Sequence, residues 1–259
     1  MRQPFPGARR TPVFLLLLIG FLVAGAGGMA RAAVSKVDVS VAVSEPTAGL
    51  VQKVVAEFRH DLVTIPGNLV NLQRQGDRFE GSLQVPAGLP GELSCTLRVH
   101  TTETDPHRPI VLLARRIPVD QPQVGPTVRI ERNLTFMRLD IEALEEANHG
   151  GVITRTPVDP DLTISAPRPG GGSEYTLVQM PRGRFSSGRA TIHVPVDAFA
   201  LPSGSRIRLF GMARGRTVSG GFRSQATAYV SLQSGATRLV ELVFLDWLRE
   251  IREAVRPVL

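Results

Sequence analysis

The densest set of metal-type ligands in this chain is His100, Glu103, Asp105 and His107. If these residues share one loop, both imidazoles and a carboxylate can reach a divalent ion, because a metal site needs several N or O donors converging at about 2 Å. Such a loop would support metal-assisted hydrolysis, which makes an exported metal-dependent hydrolase the enzymatic alternative. The same stretch has the composition of a polar hairpin tip ahead of the apolar run Ile110 to Ala114, and the other histidines, His60, His149 and His193, make no set with it. His100 and His107 are therefore weak metal candidates, and neither a metal nor a cofactor is expected.

Other acidic groups offer less. Asp140, Glu142, Glu145 and Glu146 are close enough to pair as general acid and base, but that chemistry needs a cleft that raises one pKa. Residues 140–148, with Ile141, Leu144 and Ala147 on one side, read as a short exposed helix, which provides no cleft. Asp159 and Asp161 flank Pro160 without the spaced oxygens and glycine of a calcium loop. There is no His-Glu-x-x-His, Gly-x-Ser-x-Gly, phosphate loop or paired-cysteine metal motif. The expectation is a protein that is not an enzyme.

Charge is more suggestive. Residues 182–238 hold nine arginines and a single acid, Asp197, for a formal +8, whereas residues 131–161 hold seven acids and three arginines. Arginines gathered on one sheet face or loop end would hold a polyanion, such as an acidic glycan, a phosphorylated lipid or an acidic protein. The candidate ligand-binding residues are Arg206, Arg208, Arg214, Arg216 and Arg223, with Arg214-Gly215-Arg216 expected in an exposed loop. The competing view spreads these arginines over opposite strand faces, some neutralised by the acidic stretch. Nucleic acid is not expected, since few aromatics interleave the arginines. Only Lys36 and Lys53 among the 30 basic residues are lysine, a skew in the manner of GC-rich coding rather than phosphate binding.

Export bears on the same point. Arg9 and Arg10 precede an apolar run from Val13 to Ala26 and the triplet Ala30-Arg31-Ala32, the pattern of a secretory signal cleaved before Ala33. The run is shorter than the roughly 20 residues needed to cross a bilayer, so no spanning segment is expected after cleavage. Thr11-Pro12-Val13 lacks the pattern that follows a twin-arginine pair, which favours general secretion to the periplasm or outside the cell. Removing the four arginines of residues 1–32 lowers the formal net charge from +7 to +3. A lone cysteine, Cys95, excludes an internal disulfide, and its alternation with Leu93, Leu97 and Val99 predicts the inner face of a strand.

The elements that would position these residues are strands. Val37, Val39, Val41 and Val43 alternate with polar neighbours, as do Leu83 with Val85 and Ala190 with Ile192 and Val194. An internal repeat aligns Gly76 with Gly183, Pro86 with Pro195, Arg98 with Arg208 and Gly125 with Gly235, at offsets of 107 to 110 residues. The expected fold is all-β: two tandem antiparallel immunoglobulin-like β-sandwiches from an internal duplication, with a short C-terminal amphipathic helix. The expected divisions are a signal at 1–32, a first module at 33–149, and a Pro/Gly-rich linker with the first strand of the second module at 150–173. The arginine-rich second module follows at 174–244 and a helix at 245–259, with Leu248, Ile251 and Val255 on one side, packing on its own sandwich.

The run Asp77-Arg78-Phe79-Glu80-Gly81 through Val85-Pro86-Ala87-Gly88 to Leu97-Arg98-Val99 resembles the turn-and-strand pattern of bacterial immunoglobulin-like and prealbumin-like envelope modules. That resemblance implies a module that binds, spaces or presents, and it carries over no functional residue. Size and layout are also similar to those of the periplasmic pilus chaperones, which pair with subunits by strand addition. That alternative predicts an exposed apolar edge at Val37 to Val43 or at Ile110 to Leu113. The leading expectation is an exported envelope binding or scaffolding protein that recognises an acidic protein or glycan.

Overall fold

A computed structural model of the protein describes residues 34–45, 47–119, 126–215 and 222–245. The expected signal at 1–32, Arg216 and residues 246–259 of the expected C-terminal helix lie outside the described residues. Within them the chain is all-β, interrupted by one short 3-10 turn at Thr47–Gly49. No helix among the described residues is long and apolar enough to cross a membrane.

Three sheets carry the fold. In the largest, β1 (Lys36–Val43) lies between β5 (Arg78–Gln84), which also pairs with β4 (Gln73–Gln75), and the first part of β8 (Thr127–His149). The rest of β8 pairs with β9 (Val152–Pro157), β12 (Arg189–Val196) and β15 (Thr237–Leu245). A second sheet runs β3 (Leu69–Asn71), β2 (Val51–His60), β6 (Glu92–Thr101), β7 (Ile110–Pro118). The third runs β11 (Tyr175–Met180), β10 (Asp161–Ala166), β13 (Arg206–Gly215), β14 (Phe222–Ser231).

One wiring occurs twice. β1 is antiparallel to β5 and parallel to β8 over residues 127–134; further along, β8 is antiparallel to β12 over residues 135–142 and parallel to β15 over residues 138–146. Likewise β2 lies between β3 and β6 with β7 beyond, and β10 lies between β11 and β13 with β14 beyond. β8 belongs to both arrangements. Its buried residues are Val128, Ile130, Leu134 and Phe136 in the first part and Met137, Leu139, Ile141, Ala143 and Ala147 in the second. Successive strand residues point to opposite faces, so the change of parity at Phe136–Met137 shows one strand covered from one side and then from the other.

The core rests on the alternation visible in the sequence. Val37, Val39, Val41 and Val43 are all buried, and full burial of such a side chain contributes roughly 1.5–3 kcal/mol. The layers meet closely: a Cβ added at Gly211 of β13 would lie 2.7 Å from the ring of Phe244 on β15. Cys95 is buried on the inner face of β6, where desolvation pushes its thiol up to about 12 despite the nearby positive charge of Arg132. It is a core residue rather than a nucleophile.

Three expectations need correction. Residues 140–148 are strand, not helix, because Ile141 and Ala143 alternate inward against paired neighbours on both sides. Leu245, the first residue of the expected C-terminal helix, instead closes β15, where Val240, Leu242 and Phe244 are buried at period two. The run Val37 to Val43 is not a free edge, since β1 has a partner on each side. Ile110 to Leu113 belong to β7, which is last in its sheet and lies against β11.

Candidate binding face

The arginines of β13 fall on alternate residues. Ile207, Leu209 and Ala213 are buried, so Arg206, Arg208, Phe210 and Met212 form the outward set. Arg214 occupies the next position of the same parity, in β13 rather than in the expected loop, and the register sets it opposite Arg223 of β14. Arg206 and Arg208 thus share one face of the β13–β14 ladder, Arg214 and Arg223 hold paired register positions at its end, and the fifth, Arg216, is outside the described residues.

Aromatic rings pack against the arginines of this face. The Arg206 guanidinium sits 4.3 Å from the centroid of Tyr229, and Arg208 lies directly opposite Tyr229 in the register. Arg208 is 6.0 Å from the ring of Phe210. Its Nε is 3.2 Å from Glu174 Oε2, an ion pair whose alignment leaves that N–H without a hydrogen bond. Tyr229 is 51 % exposed, so an arginine-flanked ring stands open to solvent. Tyr229 and Phe210 escaped the sequence reading, although Gln225, Thr227 and Tyr229 alternate outward along β14, offset by one from the buried Ser224 and Ala226.

Other basic residues are matched locally. Arg189 pairs with Glu142 at 2.8 Å, Arg182 with Asp161 at 3.4 Å, and Arg155 bridges Glu146 and Glu241. The acidic run in β8 is thereby built into cross-strand pairs rather than into a catalytic dyad. Asp140 accepts from Thr191 Oγ1 at 2.8 Å and from Arg138, which together hold its carboxyl below the usual carboxylate range against a smaller effect of burial. Asp159 accepts the backbone N–H groups of Gly183 and Phe185, and Asp161 that of Arg182, so both clamp the loop before β12.

The residues His100 to His107 do not converge. His100 lies in β6 opposite Lys53; burial lowers its pKa, reinforced by Lys53 and Arg98, away from a charged role. Asp105 accepts the backbone N–H of His107 at 2.8 Å in a tight turn. Glu103 reaches across to His193 on β12. Among the described residues no three His, Cys, Asp or Glu side chains are grouped to hold a metal ion.

Chemically, the β13–β14 face offers guanidinium forks that match carboxylate, sulfate or phosphate oxygens in pairs, beside amphipathic rings that bury area at low entropic cost. No protein-family model matches the chain, and no curated protein matches it in sequence. Among solved structures it is similar to the minor pilin GBS52 of Streptococcus agalactiae, at 10% identity and a TM-score of 0.30, over 80% of this chain and 95% of that one. It is similar to an adhesin candidate from Bacteroides ovatus, at 12% identity and a TM-score of 0.28, over 92% and 98%. The major pilin subunit of Bacillus cereus gives 14% identity and a TM-score of 0.25, over 76% and 60%. At these scores the likeness is one of strand-rich chains and fixes no shared topology.

Proposed function

We propose that this chain is an exported, non-enzymatic binding or scaffolding protein of the cell envelope that recognises an acidic protein or glycan through the outer face of β13 and β14. The observation that carries the proposal is the register: Arg206, Arg208 and Arg214 share one parity on β13, with Tyr229 and Arg223 opposite. Arginine and tyrosine dominate binding hot spots because both bring large contact area with directed donors. Export rests on the signal pattern of residues 1–32. The repeated wiring supports a duplicated immunoglobulin-like or prealbumin-like module, with the boundary inside β8 near Leu134 and Thr135.

The test is capture of envelope proteins and glycans by residues 33–259, beside a variant with Arg206, Arg208, Arg214 and Arg223 changed to Ser. A partner retained by the parent and lost by the variant supports the proposal; equal capture by both refutes it.

One observation favours strand addition as a second reading. All six residues of β9 are exposed, including Val152 and Ile153, and among the described residues its only strand partner is β8. An open edge of this kind templates pairing with another chain. Capture that survives the arginine changes and is lost on Ile153→Pro would select it.

A further inference from the structure

A second basic site lies apart from the β13–β14 face, where the two repeats of the wiring meet. Arg132 occupies an inward position of β8, in line with the buried Ile130 and Leu134. Its side chain is only 9% exposed. A position that merely filled the core would carry another aliphatic residue, since burying a guanidinium costs several kcal/mol unless its donors are met. They are not met. Nε and Nη2 have no hydrogen-bond partner, and Nη1 makes only a long contact of 3.5 Å with the Glu131 carbonyl.

Asp197 supplies part of the missing charge but not the bonds. Its Oδ2 stands 3.6 Å from Arg132 Nε and already accepts the Ala200 N–H at 3.0 Å. The Arg132 guanidinium is stacked 4.1 Å from the centroid of Phe199, a ring left 48% exposed. A cavity of about 520 Å³ opens there, lined by Arg115, Arg129, Ile130, Glu131, Arg132 and Phe199. Arg115 projects at an irregularity in the β6–β7 register, where Ala114 has no residue opposite; bulges of this kind re-aim side chains. Arg115, Arg129 and Arg132 therefore line one cavity together with one glutamate, and a guanidinium is the group that grips two oxygens of a carboxylate or phosphate.

We propose that this cavity is a separate anion site that takes a small oxyanion, with Arg132 at its buried end and Arg115 and Arg129 flanking the mouth. Phe199 forms the apolar wall, so the ligand class is a carboxylate or phosphate carried by a small organic molecule. Buried unsatisfied donors in a native fold call for such a partner, and junctions between modules are common places for ligand cavities.

The experiment is isothermal titration calorimetry of residues 33–259 with inorganic phosphate and, separately, with citrate, at ionic strength held constant by chloride. Saturable binding of one anion per chain is expected, and which probe binds distinguishes phosphate from carboxylate. Arg115→Gln with Arg129→Gln changes only exposed side chains and weakens binding by about tenfold or more. Arg132→Lys keeps the charge, loses the bidentate edge and also weakens binding, whereas Arg206→Ser with Arg208→Ser leaves it unchanged. The proposal is overturned if neither anion binds saturably, if the Arg115/Arg129 variant binds as the parent does, or if the Arg206/Arg208 variant abolishes binding.

Discussion

The Glu103 carboxylate grips His193 twice: Oε2 accepts the backbone N–H at 2.8 Å, and Oε1 lies 2.8 Å from Nδ1. A carboxylate only accepts, so the ring is held with its proton on Nδ1. This contact ties the turn after β6 to β12, across the junction between the two repeats of the wiring. Glu103→Ala removes both bonds and should cost about 1–2 kcal/mol, with Glu103→Gln intermediate. Chemical denaturation of the three proteins checks this; equal midpoints would show that the contact contributes nothing.

Gly188 has a φ of +74°, and a Cβ there would lie 2.7 Å from the Ala143 carbonyl oxygen and 2.8 Å from Pro157 Cβ. The Ala143 N–H also donates to the Gly188 carbonyl at 2.7 Å, so the backbone has no room to move. Gly188→Ala is expected to destabilise by roughly 2–4 kcal/mol. Gly183→Ala, also at positive φ but with open space around it, should cost only about 1 kcal/mol. Denaturant midpoints that placed the two equal would contradict the steric account.

Glu57 is a buried carboxylate that accepts from Arg98 Nε at 2.7 Å and from Arg59 Nε at 2.8 Å. Burial pulls its pKa up, but the two guanidinium groups together outweigh that and hold it below its ordinary value of 4.5. A carboxyl with a lowered folded pKa adds stability above its unfolded value and loses it as pH falls through the folded one. Stability should therefore decline as pH drops below about 4.5. Arg98→Met should cost roughly 1–2 kcal/mol at neutral pH, with a smaller difference in acid. Thermal unfolding from neutral pH to pH 3 reads both, and an Arg98→Met penalty independent of pH would contradict the assignment.

Strand content was legible because most strands bury one face, and period-two alternation survives throughout β1 and β6. Two of the sequence landmarks also fall at matching places, with Thr127 and Thr237 opening β8 and β15 and Arg98 and Arg208 within β6 and β13. Residues 140–148 misled because β8 is flanked by three strands there. Ile141, Ala143 and Ala147 are buried and Leu144 half-buried, which blurs period two into something close to a helical spacing. At the proposed binding face, the parity of Arg206, Arg208 and Arg214 was readable from β13 alone. Their relation to Arg223 and Tyr229 was not, since it depends on the β13–β14 register. Arg132 could have been noticed as a charge at an inward position between Ile130 and Leu134, but nothing in the sequence brings Phe199 or Asp197 to it.

The most direct measurement of the central claim is the affinity of residues 33–259 for an immobilised polyuronate and for polyglutamate, each across a salt series, beside the Arg206/Arg208/Arg214/Arg223→Ser variant. The account predicts that the parent binds at least one of them, that affinity falls as salt rises, and that the variant binds about tenfold or more weakly. Equal binding by parent and variant, or no binding of either polymer by the parent at low salt, would contradict it.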